Sequence, residues 1–275
     1  MNSKGNLLTQ VDDFPRRIAI VHDALMVAGG AERLTVYLSQ TFPEADIYTS
    51  AYVPEKTYPY FKSQKIHTLP GARIVKNERQ FKQLFPLWFL GFRGLDLSRY
   101  DLVISSSTYL AKFIHPLKNG KHICYLHSPF RFLWKRESYS ADSLPFNRLL
   151  MKAIDLVSPI IQRLDKHFTD QISYLITNSQ NSASFIRNVY GRDAEVIYPP
   201  VEVNQFKIAV ERKHYYLVVS RLISYKRVDL AIQACEQMHR KLLIVGDGPE
   251  LEPLQKIAGE YTNFLGKVGD EDLKK

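Results

Sequence analysis

Short runs of apolar, often β-branched residues alternate with stretches whose apolar positions recur every three or four residues, from residue 17 to the end of the chain. The runs predict strands at 17–22, 45–49, 72–75, 101–105, 122–127, 174–178 and 195–198, and after a break at 215–220, 241–246 and 262–265. Most are apolar throughout rather than alternating, as strands covered on both faces are. Helical periodicity falls between them, at 31–41, 179–190, 228–239 and 249–259. A longer period at 146–168 has Pro159 inside it and predicts a helix packed on a sheet, kinked at the proline. Strand–helix alternation of this kind predicts a doubly wound α/β fold.

The break divides the chain. Residues 1–16 form a polar tail, 17–198 a first Rossmann-like domain, 199–213 a linker opened by Pro199-Pro200, and 214–275 a second domain of three strands. Three strands make a thin sheet, so the second domain is expected to be incomplete. Length and composition fit two folded domains: 275 residues, 45% hydrophobic, with 15 Phe, 16 Tyr and 2 Trp, exclude a disordered chain. Cys124 and Cys235 stand far apart with no Cys-x-x-Cys, which argues against a disulfide scaffold or a cysteine zinc site and fits a reducing compartment. No apolar run reaches the ~18 residues of a membrane span, and the first 16 residues lack a secretory apolar stretch. A cytoplasmic protein, peripheral at most on the inner face of a membrane, is expected.

Charge refines that expectation. Of the net +9, residues 1–200 contribute +8, from 25 Lys/Arg against 17 Asp/Glu. Residues 56–99 alone hold nine basic residues against Glu78 and Asp96. Within them Phe81, Leu84, Phe85 and Trp88 follow helical spacing, and Phe81, Phe85, Trp88 and Phe89, flanked by Arg79, Lys82 and Arg93, are the candidate membrane contacts. This is the pattern of an in-plane membrane helix, and an anionic membrane surface is the expected partner. The competing reading is a core helix with solvated charged ends. Nucleic acid is excluded, because no zinc-ligand spacing, RNP-like sequence or basic recognition helix is present.

Four segments carry candidate chemistry, each at the carboxyl end of a predicted strand. Gly29-Gly30 precede a helix, where bare backbone and unpaired N–H groups suit an anion. His127 ends the strand at 122–127, where it could hydrogen-bond a hydroxyl or take its proton, with Arg131 and Trp134 just beyond. Arg221 and Lys226 follow the first strand of the second domain, and a guanidinium fork with a mobile ammonium suits a diphosphate. Gly246-Asp247-Gly248-Pro249 forms another strand-to-helix turn.

Taken together, Gly29-Gly30-Ala31-Glu32-Arg33, His127, Asn178-Ser179, the Ser-Arg-Leu-x-x-x-Lys-Arg of 220–227 and Gly246-Asp247-Gly248-Pro249 resemble glycosyltransferase family 4 over residues 17–275. The segment 125–134 is most similar to the O-antigen-type mannosyltransferases that use GDP-mannose. The resemblance implies a GT-B fold, two Rossmann-like domains facing a cleft, and hexose transfer with retention. The donor would be a nucleotide diphosphate sugar and the acceptor a glycan or lipid-linked saccharide, with no metal cofactor. It places Gly29 and Gly30 near the donor phosphate, His127 at the donor sugar and Arg221 and Lys226 on the diphosphate. Gly246 and Gly248 would line the nucleotide pocket, with Leu265, Gly266, Lys267 and Val268 near the base and Arg131 and Trp134 on the acceptor side. The family's Glu-Gly-Phe-Gly donor segment does not occur in these 275 residues. The alternative reading is therefore a truncated, non-catalytic remnant that docks on a membrane or a partner.

Overall fold

The computed structural model describes residues 15, 17–75, 80–81, 84–115, 117–118, 120–135, 148–205 and 213–273. Contacts divide it into two units, one reaching Pro200 and the other continuing from Val201.

The first unit is built on seven parallel strands: β1 (Ile18–His22), β2 (Asp46–Thr49), β3 (Ile66–Thr68), β4 (Leu102–Ser107), β5 (Lys121–Leu126), β6 (Tyr174–Thr177) and β7 (Glu195–Val196). They lie in the order β3-β2-β1-β4-β5-β6-β7, with Val21 registered on Tyr48 to one side and on Ser105 to the other. All five residues of β1 and all six of β4 are buried. The order reverses between β1 and β4, and open α/β sheets bind ligands outside the carboxyl ends of the strands at such a point. The connecting helices are α1 (Gly30–Thr41), α2 (Phe85–Arg93), α3 (Arg131–Trp134), α4 (Arg148–Asp170) and α5 (Gln180–Tyr190).

Three expectations change. Residues 72–75 are not a strand: Ala72–Ile74 form a 3-10 turn, and the edge strand is β3 instead. Gly71 at φ +87° turns the chain just before it, and Ile74 is 67% exposed, so its β-branched side chain has no sheet to cover. The expected membrane helix is also largely a core helix. Phe81, Trp88 and Phe92 are buried in the main apolar cluster, with the Trp88 indole donating to the Phe81 carbonyl at 2.9 Å. Phe89 packs edge-on against Phe113, and Arg93 lies 4.5 Å over the Phe168 ring while donating to the Phe113 and Ile114 carbonyls. Sequence spacing identified a helical stripe but not which side of the domain it faces. Leu87 and Leu90 are the exposed pair. Arg79, Lys82 and the Phe85 side chain lie outside the described residues. Finally, α4 is only partly covered. Asp165 and Thr169 are buried, whereas Leu156 is 81% exposed and Ile160 and Leu164 also face solvent.

The second unit has β8 (Tyr216–Val219), β9 (Leu242–Val245) and β10 (Thr262–Gly266) in the parallel order β10-β9-β8. Helices α6 (Val228–Gln237) and α7 (Leu251–Ile257) connect them, and α8 (Asp270–Leu273) follows. Its core is Leu222, Val228, Ile232, Cys235, Leu242, Ile244 and Leu254. Both cysteines are unpaired and buried.

Candidate functional site

In the first unit the polar side chains gather at the carboxyl ends of β1, β4 and β5. Neither Gly29 nor Gly30 has a positive φ, so backbone strain does not explain the pair. A Cβ at Gly29 would stand 2.7 Å from Glu32 Oε2, the far end of a flexible side chain that can shift. Nothing lies within 4 Å of a Cβ at Gly30, so the start of α1 is bare backbone with open space above it. A phosphate can approach such a helix N-terminus closely.

His22, the last residue of β1, is buried, with Nδ1 3.1 Å from the Ser106 carbonyl, 3.2 Å from Ser106 Oγ and 3.0 Å from Thr35 Oγ1. Glu32 Oε1 faces its other nitrogen at 3.8 Å. Ser106 Oγ is also 3.0 Å from His127 Nε2, so one hydroxyl joins the two imidazoles. Burial, reinforced by His22, pushes the His127 imidazole down to a pKa of about 3. It is therefore neutral near pH 7 and suits hydrogen bonding better than taking a proton. Next to His22, the buried Asp23 carboxylate accepts from Ser107 Oγ and from the backbone N–H groups of residues 108–111. That clamp holds the turn after β4.

The segment after His127 is anchored from below. Trp134 Nε1 donates to Asp165 Oδ2 at 2.6 Å, and Asp165 Oδ1 pairs with Lys112 Nζ at 2.6 Å in the interior. Trp134 thus has a tether to α4, while Arg131 is exposed with its Nε 3.4 Å from Ser128 Oγ.

In the second unit the turns after β8 and β9 are bonded together. Leu222 N–H donates to the Asp247 carbonyl at 3.0 Å and Glu250 N–H to the Leu222 carbonyl at 3.1 Å. The two glycines make this possible. A Cβ at Gly246, where φ is +146°, would lie 1.8 Å from the Ser220 oxygen, and one at Gly248 would lie 2.2 Å from that of Leu222. Both are backbone clashes with no flexible neighbour to yield. Gly248→Ala is expected to destabilise this unit by roughly 1–3 kcal/mol through overpacking alone. Hydrogen exchange is expected to quicken in β8 and β9 and stay unchanged in β1 and β4; equal protection in all four would contradict it.

On this frame Arg221 and Lys226 are both exposed, Lys226 in the 3-10 turn Ser224–Lys226. The neighbouring Arg227, at φ +50°, is bound to Asp229 through Nη2 at 2.8 Å. That ion pair belongs to the start of α6. Leu265, Gly266, Lys267 and Val268 sit at the carboxyl end of β10, where Gly266 has φ +67° and accepts from Gly246 N–H at 2.8 Å. Each predicted site residue thus lies at the carboxyl edge of its own sheet or just beyond it. The motif reading gave no role to His22, Glu32, Thr35 or Ser106, although a histidine and a serine run ending two apolar strands were the signal for them.

The family model described as Glycosyltransferase Family 4 matches residues 28–205, and that described as Glycosyl transferases group 1 matches residues 201–275. The uncharacterized glycosyltransferase MJ1069 of Methanocaldococcus jannaschii is 23% identical over 285 residues, 97% of this chain and 67% of the relative. Among solved structures, Anabaena Alr3699/HepE in complex with UDP and glucose superposes with a TM-score of 0.63 at 18% identity, covering 92% of this chain and 70% of that one. S. aureus TarM does so with 0.59 at 10% identity, covering 96% and 80%. At such identities the structures speak for the fold, which is GT-B. With a family model over residues 28–205 and a second continuing it to residue 275, the chain belongs to Glycosyltransferase Family 4.

Proposed function

We propose that the protein transfers a hexose, mannose from GDP-mannose in the first instance, from a nucleotide diphosphate sugar to a glycan or lipid-linked saccharide, with retention of configuration. The observation that carries the donor class is the exposed Arg221 and Lys226 pair, set on a backbone frame that only glycines permit. The UDP and glucose bound by HepE support a nucleotide donor, and the sequence around His127 favours the mannose reading over glucose. In this scheme the bond from the sugar C1 to the phosphate oxygen breaks while the acceptor oxygen bonds C1 on the same face. The acceptor's proton passes to the departing phosphate. Catalysis is then orientation and charge stabilisation by the two cations, with no metal ion assigned a part. Titration calorimetry with GDP-mannose, UDP-glucose and the free nucleotides tests the reading. Binding of GDP-mannose in preference to UDP-glucose is expected; the reverse order would overturn the mannose assignment, and no binding of any would overturn the donor class.

The acceptor side of the proposal includes an anionic bilayer. No helix among the described residues is long and apolar enough to cross a membrane. Nevertheless Leu87 and Leu90 on α2 and Leu156, Ile160 and Leu164 along α4 are exposed on a domain whose cationic surplus lies mainly in residues 56–99. That surplus attracts anionic lipid and repels a second copy of the same surface. Co-sedimentation with phosphatidylglycerol vesicles, weakened by Leu156→Ser with Ile160→Ser and absent with phosphatidylcholine, is the expected result. No sedimentation with either lipid would remove the membrane from the scheme.

A further inference from the structure

We propose that His127 meets the ligand as a hydrogen-bond donor through Nδ1–H, and that Ser106, itself in contact with His22, is the positioning residue that sets this tautomer. The role at the sugar rests on the function proposed above; the tautomer does not.

The deduction follows the hydrogens. The Ser106 carbonyl can only accept, so His22 Nδ1, 3.1 Å away, carries a proton. Thr35 Oγ1 gives its hydrogen to the Ala31 carbonyl at 3.1 Å and so faces His22 Nδ1 as an acceptor. Ser106 Oγ, 3.2 Å from the same protonated nitrogen, cannot donate to it either. Among the described residues, the acceptor left for the Ser106 hydroxyl hydrogen is His127 Nε2 at 3.0 Å. A neutral imidazole that accepts at Nε2 carries its hydrogen on Nδ1. Burial keeps the ring neutral, which agrees with that assignment.

Glu32 stands on the far side of the His22 ring, 3.8 Å from Nε2 and beyond hydrogen-bond distance, so it does not decide which His22 nitrogen carries the hydrogen. Ser106 is fully buried in β4, so its hydroxyl has few directions open to it. No partner for His127 Nδ1 is present among the described residues. The ring therefore offers one N–H to a ligand oxygen, a sugar hydroxyl or a phosphate, and no lone pair to a proton. An acceptor alcohol deprotonated by His127 is incompatible with this arrangement.

Long-range 1H–15N correlation spectra of the 15N-histidine-labelled chain at pH 7, with the His127 signals assigned by their loss in His127→Gln, read the tautomer directly. A protonated Nδ1 and a bare Nε2 are expected. An Nε2–H tautomer or a doubly protonated ring in the unaltered protein would overturn the proposal. Ser106→Ala is expected to shift the population towards Nε2–H, and Ser106→Thr to restore Nδ1–H. An unchanged tautomer in the alanine variant would remove Ser106 from its positioning role. Adding GDP-mannose or UDP-glucose is expected to move the Nδ1 resonance; a stationary resonance while calorimetry records binding would overturn the ligand contact. Absence of binding by calorimetry would count against the function and leave the tautomer result standing.

Discussion

Replacing Lys112 with methionine is expected to cost ~3–5 kcal/mol of stability, the range for leaving a buried charge without its partner. The ammonium is fully buried and lies 2.6 Å from Asp165 Oδ1, 2.9 Å from the Tyr190 hydroxyl and 3.0 Å from Thr169 Oγ1. Asp165 accepts in addition from Trp134 Nε1 and from Tyr190 OH at 2.7 Å. Burial first, then the Asp165 charge, holds the Tyr190 phenol far above its ordinary range, so it stays a donor. Methionine matches the lysine in length but not in charge, and Asp165 would then be an anion held by two neutral donors in a low-dielectric interior. Since a domain of this size is stable by only ~5–15 kcal/mol, the loss is a large fraction. Chemical unfolding followed by Trp fluorescence measures it. Pairing Lys112→Met with Asp165→Asn removes both charges and is expected to recover part of the loss. A double variant as unstable as the sum of the singles would show that packing, not the ion pair, is at stake. The effect would reach the site, because the same Asp165 tethers Trp134 and with it the segment following His127.

The second large effect concerns turnover. Arg221→Ala and Lys226→Ala are each expected to lower kcat by ~10²–10³, about 2.7–4 kcal/mol of transition-state stabilisation, the loss seen when one donor to a developing negative charge is removed. In the proposed reaction the diphosphate gains charge as the sugar leaves, so cations placed on it would act more strongly on the transition state than on the bound donor. Donor affinity is expected to fall by less than kcat. The two changes together are expected to fall short of the product of the singles, since both cations address one leaving group. Arg227→Ala is the internal control: its guanidinium is held by Asp229, so less than a tenfold change is expected. Steady-state transfer with the donor that calorimetry selects gives the values. A rise in KM at unchanged kcat would reduce the pair to uniform binding, and unaltered kinetics would remove it from the reaction.

Much of the fold was legible because parallel strands buried on both faces write themselves as unbroken apolar runs. The strands at 17–22 and 101–105 were found this way and match β1 and β4 within two residues. The failure at 72–75 has the opposite origin. Ala-Arg-Ile-Val has strand composition, but Gly71 turns the chain and no sheet neighbour is available. β3 was missed because Ile66-His67-Thr68 is short, and an edge strand takes its identity from the partner it pairs with, here Ile47–Thr49.

The site divides in the same way. Gly29-Gly30, Arg221, Lys226, Gly246 and Gly248 were named from local order, because a strand–turn–helix places its turn at the carboxyl edge whatever the rest of the chain does. Local order could not say why each glycine is needed. Gly246 and Gly248 give way to the backbone of Ser220 and Leu222, residues more than twenty positions away. Nor could it join His22, Ser106 and His127, which meet only because β1, β4 and β5 are neighbours.

The sequence by itself determined the α/β alternation and pointed to a two-part division and to candidate motif residues, since each depends on periodicity or on turn chemistry within a few positions. The tertiary structure decided which face of each element meets the core. It turned Phe81 and Trp88 inward, left Leu90 64% exposed and α4 half bare, and buried the His127 imidazole so that its pKa falls. The physical reason is common to all of these. Helical spacing records that a stripe is apolar, and strand ends record that a polar residue is available. Burial, desolvation and the direction of a shared hydrogen bond depend on neighbours brought from more than eighty residues away.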